Sequence, residues 1–144
     1  RYEKESRRQL NMVELYFDGT VRPSNDEAAV GLFSKSSEGE VTEKMYQIQA
    51  INNHEAEFIA FAKAVEWAHE LIIQGESVIS FRTDSEAVAL AVEREFVKNK
   101  RTQTIFDPAF ERYQLLPLAF VKWIPRSENK ADRVAREALR LYEA

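Results

Sequence analysis

Five acidic side chains stand where predicted elements end or begin: Asp18, Glu55 and Glu57, Asp84, and Asp132. Carboxylates brought to one edge of a fold repel one another and raise each other's pKa, so a protein that gathers them usually does so around cations. Hard oxygen donors select magnesium or manganese over zinc. Two such ions, roughly 3.5 to 4 Å apart, can polarise a phosphodiester, activate a water and stabilise the leaving oxygen of an in-line displacement. That chemistry needs no side-chain nucleophile. Singly, Asp84, Asn129 and Glu57 are ordinary residues of helix starts. Asp18 is less ordinary, because it follows a buried-looking β run in which Asp is disfavoured.

The elements that must position these acids can be read from periodicity. Residues 12–20 alternate Val13, Leu15 and Phe17 with Glu14, Tyr16 and Asp18, the period of a strand with one buried face. Residues 28–35 and 41–50 read as two more strands joined by a short Ser/Gly turn, so the first three strands form an antiparallel meander. Residues 53–74 place Phe58, Phe61, Val65, Ala68 and Ile72 on one helical face, with Gly75 as the stop. A short strand at 77–83 leads into a helix over 84–98, opened by a capping box of Thr83 and Glu86. A third helix over 102–116 is started or interrupted at Pro108, a strand comes next at 117–124, and a last helix at 128–142. The order βββαβααβα predicts an α/β fold, a five-stranded mixed sheet with three antiparallel strands and then parallel ones, and helices packed on it. Ligands of such sheets collect beyond the carboxyl ends of the parallel strands.

Composition removes several alternatives. The 144 residues contain no cysteine, which excludes thiolate catalysis, disulfides and iron–sulfur ligation. The two histidines, His54 and His69, stand in no triad-like context. No apolar run reaches the roughly 18 residues of a membrane span, and the start lacks a signal peptide's apolar core, so the expectation is a cytoplasmic protein with no membrane partner. Residues 1–11 read as an N-terminal arm or linker ahead of one domain at 12–144.

The runs LYFDGT (15–20), NNHEAEFIA (52–60), FRTDSEAV (81–88) and KWIPRSENKADRVAREAL (122–139) together resemble the type 1 ribonuclease H family, in order and in spacing. The resemblance implies a ribonuclease H-like fold with helices on both faces of the sheet. It implies a metal-dependent endonuclease that cuts the RNA strand of RNA/DNA hybrids with two Mg2+ (or Mn2+) ions, as a monomer or weak dimer. Asp18, Glu57, Asp84 and Asp132 match the family's catalytic, metal-binding carboxylates, with Glu55 as the alternative to Glu57. Gly19, Thr20, Asn53 and Ser85 match positions that contact the hybrid backbone or the RNA sugar.

The chain also departs from that pattern. Residues 21–28 lack the family's Gly-rich loop, and Arg126 stands in the loop where many members carry a His, able to contact a phosphate but unable to shuttle a proton. Residues 98–117 are too few for both a helix and a basic protrusion. Asn129 lies one residue closer to Asp132 than is usual. These departures support a second expectation, a catalytically weak or inactive module that binds nucleic acid or protein.

With a net charge of −4, any grip on a duplex must be local. Lys98, Lys100 and Arg101 form one basic cluster, and Lys130, Arg133, Arg136 and Arg140 another. Trp67 reads as core; Trp123 could be core or a stacking surface. FDGTV also resembles haloacid-dehalogenase phosphatases, but Tyr16 occupies their nucleophile position.

Overall fold

The computed structural model describes residues 11–22, 24 and 26–143, so the expected N-terminal arm lies, apart from Asn11, outside the described residues. The elements are β1 (Met12–Arg22), β2 (Glu27–Lys35), β3 (Val41–Ile48), α1 (Asn53–Ile73), β4 (Val78–Thr83), α2 (Glu86–Arg94), α3 (Lys100–Gln114), β5 (Ala119–Trp123) and α4 (Ala131–Arg140). Short 3₁₀ turns at Arg126–Glu128 and Leu141–Glu143 flank α4. The strands order as β3-β2-β1-β4-β5. β1–β2 and β2–β3 are antiparallel, and β1–β4 and β4–β5 are parallel. The predicted order and mixed sheet are therefore what the chain forms.

Alternation along β1 sorts side chains to two faces. Val13, Leu15 and Phe17 enter the main core with Phe58, Phe61, Val65 and Trp67 of α1 and Phe106 of α3. Apolar burial of this kind contributes roughly 25 cal/mol per Å². Phe61 also stacks on Phe106 at 6.1 Å between ring centroids. Tyr16 points the other way, into a smaller cluster with Phe33, Ile124, Ala131 and Val134 under α4.

Helix ends differ from expectation for local reasons. α2 is capped by Ser85, whose hydroxyl accepts from the Val88 amide at 3.1 Å, while Thr83 Oγ1 accepts from the Ser85 amide at 3.0 Å. The cap read at Thr83 is thus displaced by two residues, and with Val88 at the third helical position no capping box forms. α2 stops early because Glu95 takes a left-handed conformation, φ 61°. α3 starts at Lys100, capped by Asn99, and runs through Pro108 rather than starting there. The missing proline N–H leaves the Thr104 carbonyl without its helical donor. The last helix begins only at Ala131, because the Asn129 side chain is drawn to β1 and Asp84.

Candidate active site

Two glycines bring helices onto β1 and its neighbour from opposite faces. A Cβ on Gly19 would lie 2.1 Å from the Ala56 carbonyl oxygen, and one on Gly31 would lie 2.2 Å from the Ala135 amide nitrogen. The first turn of α1 therefore rests on the end of β1, and α4 rests on β2 beside Asp18, whose register partner is Gly31. Asn53 Oδ1 accepts from the Val21 amide at 2.8 Å, tying the end of β1 to the start of α1. Glu57 comes from α1, Asp132 from α4, and Asp84 from the end of β4, the parallel neighbour of β1.

Asn129 joins three of these pieces. Its Nδ2 donates to the Phe17 carbonyl at 3.1 Å and to Asp84 Oδ1 at 2.6 Å, and its Oδ1 accepts from the Ala131 amide at 3.0 Å. One buried side chain thus locks β1, the Asp84 carboxylate and the first turn of α4. Trp123 Nε1 donates to the Asp84 carbonyl at 3.1 Å. Trp123 is 46% exposed, so it belongs to the rim of the site rather than to the core. Trp67 is buried, as expected.

The four acids feel one another. Burial, then the charges of Asp84 and Asp132, a hydrogen bond to Asp132 and the charge of Glu57 push Asp18 up to about 8. Burial and the Asp84 charge raise Glu57, opposed by a hydrogen bond from Ser85 and by the Arg126 guanidinium. Glu55 is committed elsewhere. Its Oε2 accepts from the Ile51 amide at 3.0 Å, its own amide donates to Asn52 Oδ1 at 2.8 Å, and Arg101 Nε donates to its Oε1 at 2.5 Å. Arg101 accordingly lowers Glu55. The structure therefore turns Glu57, and not Glu55, toward Asp18 and Asp84.

Asp132 also has protein donors. Arg136 Nη2 lies 2.9 Å from Asp132 Oδ2, and Arg126 Nη2 lies 3.6 Å from its Oδ1. Among the described residues, no three acidic or imidazole side chains close around a common point as metal ligands. The donor set nevertheless suits a hard divalent cation, being all carboxylate, and the upward push on Asp18 shows that the protein's own cations do not fully offset the charge of its acidic neighbours.

The other expected site residues serve different ends. Gly19 is buried against α1, so its place is explained by packing. Ser85 is buried and its hydroxyl serves both the α2 cap and Glu57, which makes it a positioning residue for that carboxylate. Thr20 is half-buried on β1, and Asn53 and Arg126 are exposed. Of the basic clusters, Arg101, Arg133, Arg136 and Arg140 are engaged by Glu55, Glu43, Asp132 and Glu137. Sequence alone does not single out Asn129 and Arg136 as site residues. The i,i+4 spacing from Asp132 to Arg136 carries a signal for the latter, whereas nothing local marks Asn129 as more than a cap.

The raised Asp18 gives a pH prediction. Between its ordinary value of 3.8 and about 8, the folded state holds a proton that the unfolded chain has lost, so stability without divalent cations falls as pH rises across that window. Asp18→Asn removes the penalty. With one pKa unit worth about 1.4 kcal/mol and the rim of the site wet, the variant is expected to gain roughly 2–3 kcal/mol at pH 8. Urea unfolding in chelator at pH 5 and pH 8 measures it; an equal difference at both pH values would contradict the assignment.

Sheet order, helix placement and the gathered acids define a ribonuclease H-like domain. The Reverse transcriptase-like family matches residues 16–138, and the chain belongs to that family. A protein of Enterococcus faecalis named "Putative hydrolase EbsB" is 28% identical over 136 residues, spanning 91% of this chain and 96% of its own length. RNase H1 from Halobacterium salinarum is 29% identical with a TM-score of 0.74, covering 92% of this chain and 99% of that one. LC11-RNase H1, isolated from compost and solved in complex with RNA/DNA hybrid, is 22% identical with a TM-score of 0.77, covering 92% and 99%.

Proposed function

We propose that the chain is a divalent-cation-dependent endonuclease acting on the RNA strand of RNA/DNA hybrids. The observation that carries this reading is the convergence of Asp18, Glu57, Asp84 and Asp132, with Asp18 driven up to about 8 by burial and by its acidic neighbours. When bound, paired Mg2+ or Mn2+ ions supply water activation and charge neutralisation at the phosphodiester. Asp18, Glu57, Asp84 and Asp132 are the residues that would hold them.

The chain's own residues prepare that chemistry. Asn129 fixes the Asp84 carboxylate, Ser85 fixes Glu57, and Arg126 leaves most of its side chain in solvent, where it can meet a phosphate. Among the described residues the Asn53 amide NH2 is left to donate, because Val21 engages its oxygen. The 2′-hydroxyl is the feature by which such a surface distinguishes RNA from DNA. The hybrid-bound state of LC11-RNase H1, on the same fold, supports the choice of substrate.

An end-labelled hybrid incubated with Mg2+ or Mn2+ is expected to yield internal cuts in the RNA strand and none in the DNA strand. One observation favours a second reading. Asp132 is held by both Arg126 and Arg136, which compete with any cation for its oxygens. If the hybrid binds but stays whole with either metal, the domain is a binding module without turnover.

A further inference from the structure

α4 lies over β1, β2 and β3, and among the described residues no helix covers β4 and β5 on that face. The alternation that sends Ala119 and Val121 into the main core leaves Phe120 and Lys122 on this open side. The sheet register then aligns three side chains across three parallel strands. Tyr16 pairs with Arg82, and Arg82 pairs with Lys122. Lys130, from the approach to α4, closes the row, with its Nζ 5.7 Å from the ring centroids of both Tyr16 and Phe33. Between them is a cleft of about 330 Å³, which Glu128 and Asn129 also line.

Arg82 is already balanced, since its Nη1 lies 3.6 Å from Glu14 Oε1 and 3.4 Å from the Tyr16 hydroxyl, which in turn donates to Glu14. Lys122 and Lys130 are different. Both are exposed, and neither has a carboxylate within ion-pairing distance among the described residues, although the chain as a whole is acidic. Two ammonium groups without a carboxylate partner at one polar cleft favour an anion between them, and the rings of Tyr16 and Phe33 hold Lys130 in place for it. The cleft shares Asn129 with the acidic site, which places it beside the strand ends where the four carboxylates meet.

We infer that this cleft is a phosphate-binding subsite for an unpaired nucleic-acid strand running off the acidic site, gripped by Lys122 and Lys130. Stiffness dictates the unpaired state. Duplex DNA has a persistence length of about 150 base pairs, so a duplex seated at the strand ends cannot bend within a few nucleotides onto the sheet face, whereas a single strand can. Phe120, 43% exposed and two residues from Lys122 on the same face, offers a ring on which a base can stack. The cations and the ring thus match both parts of a nucleotide.

The inference rests on the proposed hybrid substrate, and its test separates the two. Binding of a short RNA/DNA hybrid, blunt or carrying an eight-nucleotide single-stranded extension at the 5′ or 3′ end in separate arms, is measured across salt in the Asp84→Asn background, where cutting is slow compared with the measurement. One extended arm is expected to bind more tightly than the blunt hybrid. Combining Lys122→Ala with Lys130→Ala is expected to abolish that gain, about tenfold in affinity, and to make the salt slope shallower by about 0.7 to 1.4. The same lysine changes in the wild-type background are expected to leave cleavage of the blunt hybrid unchanged. Extension-dependent binding that ignores both lysines, or no gain from an extension at either end, overturns the subsite while leaving the nuclease reading intact. A protein that cuts no hybrid but binds an extension through these lysines overturns the nuclease reading alone, and one that binds neither probe overturns both.

Discussion

Asp84→Asn is expected to slow hydrolysis of the RNA strand by about a thousandfold or more, equivalent to roughly 4 kcal/mol of transition-state stabilisation. The substitution is nearly isosteric, and the retained amide oxygen still accepts from Asn129, so the scaffold around it survives. What disappears is one negative charge among four that would hold cations against the scissile phosphate. Single-turnover rates at saturating hybrid isolate this loss from any change in binding. A variant that keeps more than about a tenth of the wild-type rate would remove Asp84 from the proposed mechanism. The melting temperature is expected to stay within a few degrees, because Asp84 is only half-buried and its neighbours keep their partners.

Gly31→Ala carries the second large effect. The added methyl group would lie 2.2 Å from the Ala135 nitrogen, 2.7 Å from the Val134 carbonyl carbon and 2.8 Å from the Ala131 carbonyl oxygen. All three are backbone atoms of α4, so no rotamer change relieves the overlap and the helix itself must move. Overpacking of this kind costs about 3 kcal/mol, which for a domain of this size lowers the melting temperature by roughly 10 °C. Since α4 carries Asp132, the same displacement is expected to lower activity in whatever fraction remains folded. A melting curve within about 2 °C of wild type, measured by circular dichroism, would show that α4 does not bear on β2.

Much of this architecture is legible in the chain because its signals are local. Alternation in residues 12–20 and the 3–4 spacing from Phe58 to Ile72 report directly on which side chains face a core. The acids also stand out, since Asp18 breaks a buried β run and the others fall at element starts. What sequence does not reveal depends on contacts between distant positions. Asn129 looks like a cap until Phe17, 112 residues away, and Asp84 are seen to share its amide. Gly19 resembles a substrate-contact position, and only the packing of α1 shows that a side chain has no room there. The choice between Glu55 and Glu57 turns on Arg101, which lies 46 residues beyond Glu55 and draws it into the α1 cap. Sequence places α3 within two residues of its start, but leaves open whether Pro108 begins or interrupts it, because only the Asn99 cap shows that the helix is already formed two turns before the proline.

The proline within α3 divides that helix into two unequal parts. Beyond it, Phe110 and Tyr113 are pinned among the rings of Phe61, Phe81 and Phe106. Before it, the opening turn is held by Asn99 and by the Arg101 link to Glu55. With one rung already missing at Thr104, the opening turn can fray without unzipping the later turns. Backbone amides on the two sides of Pro108 then exchange with solvent at separate rates. Breathing of the opening turn would loosen the start of α1 through Arg101, while Phe106 and the rings beyond it stay shut in the core.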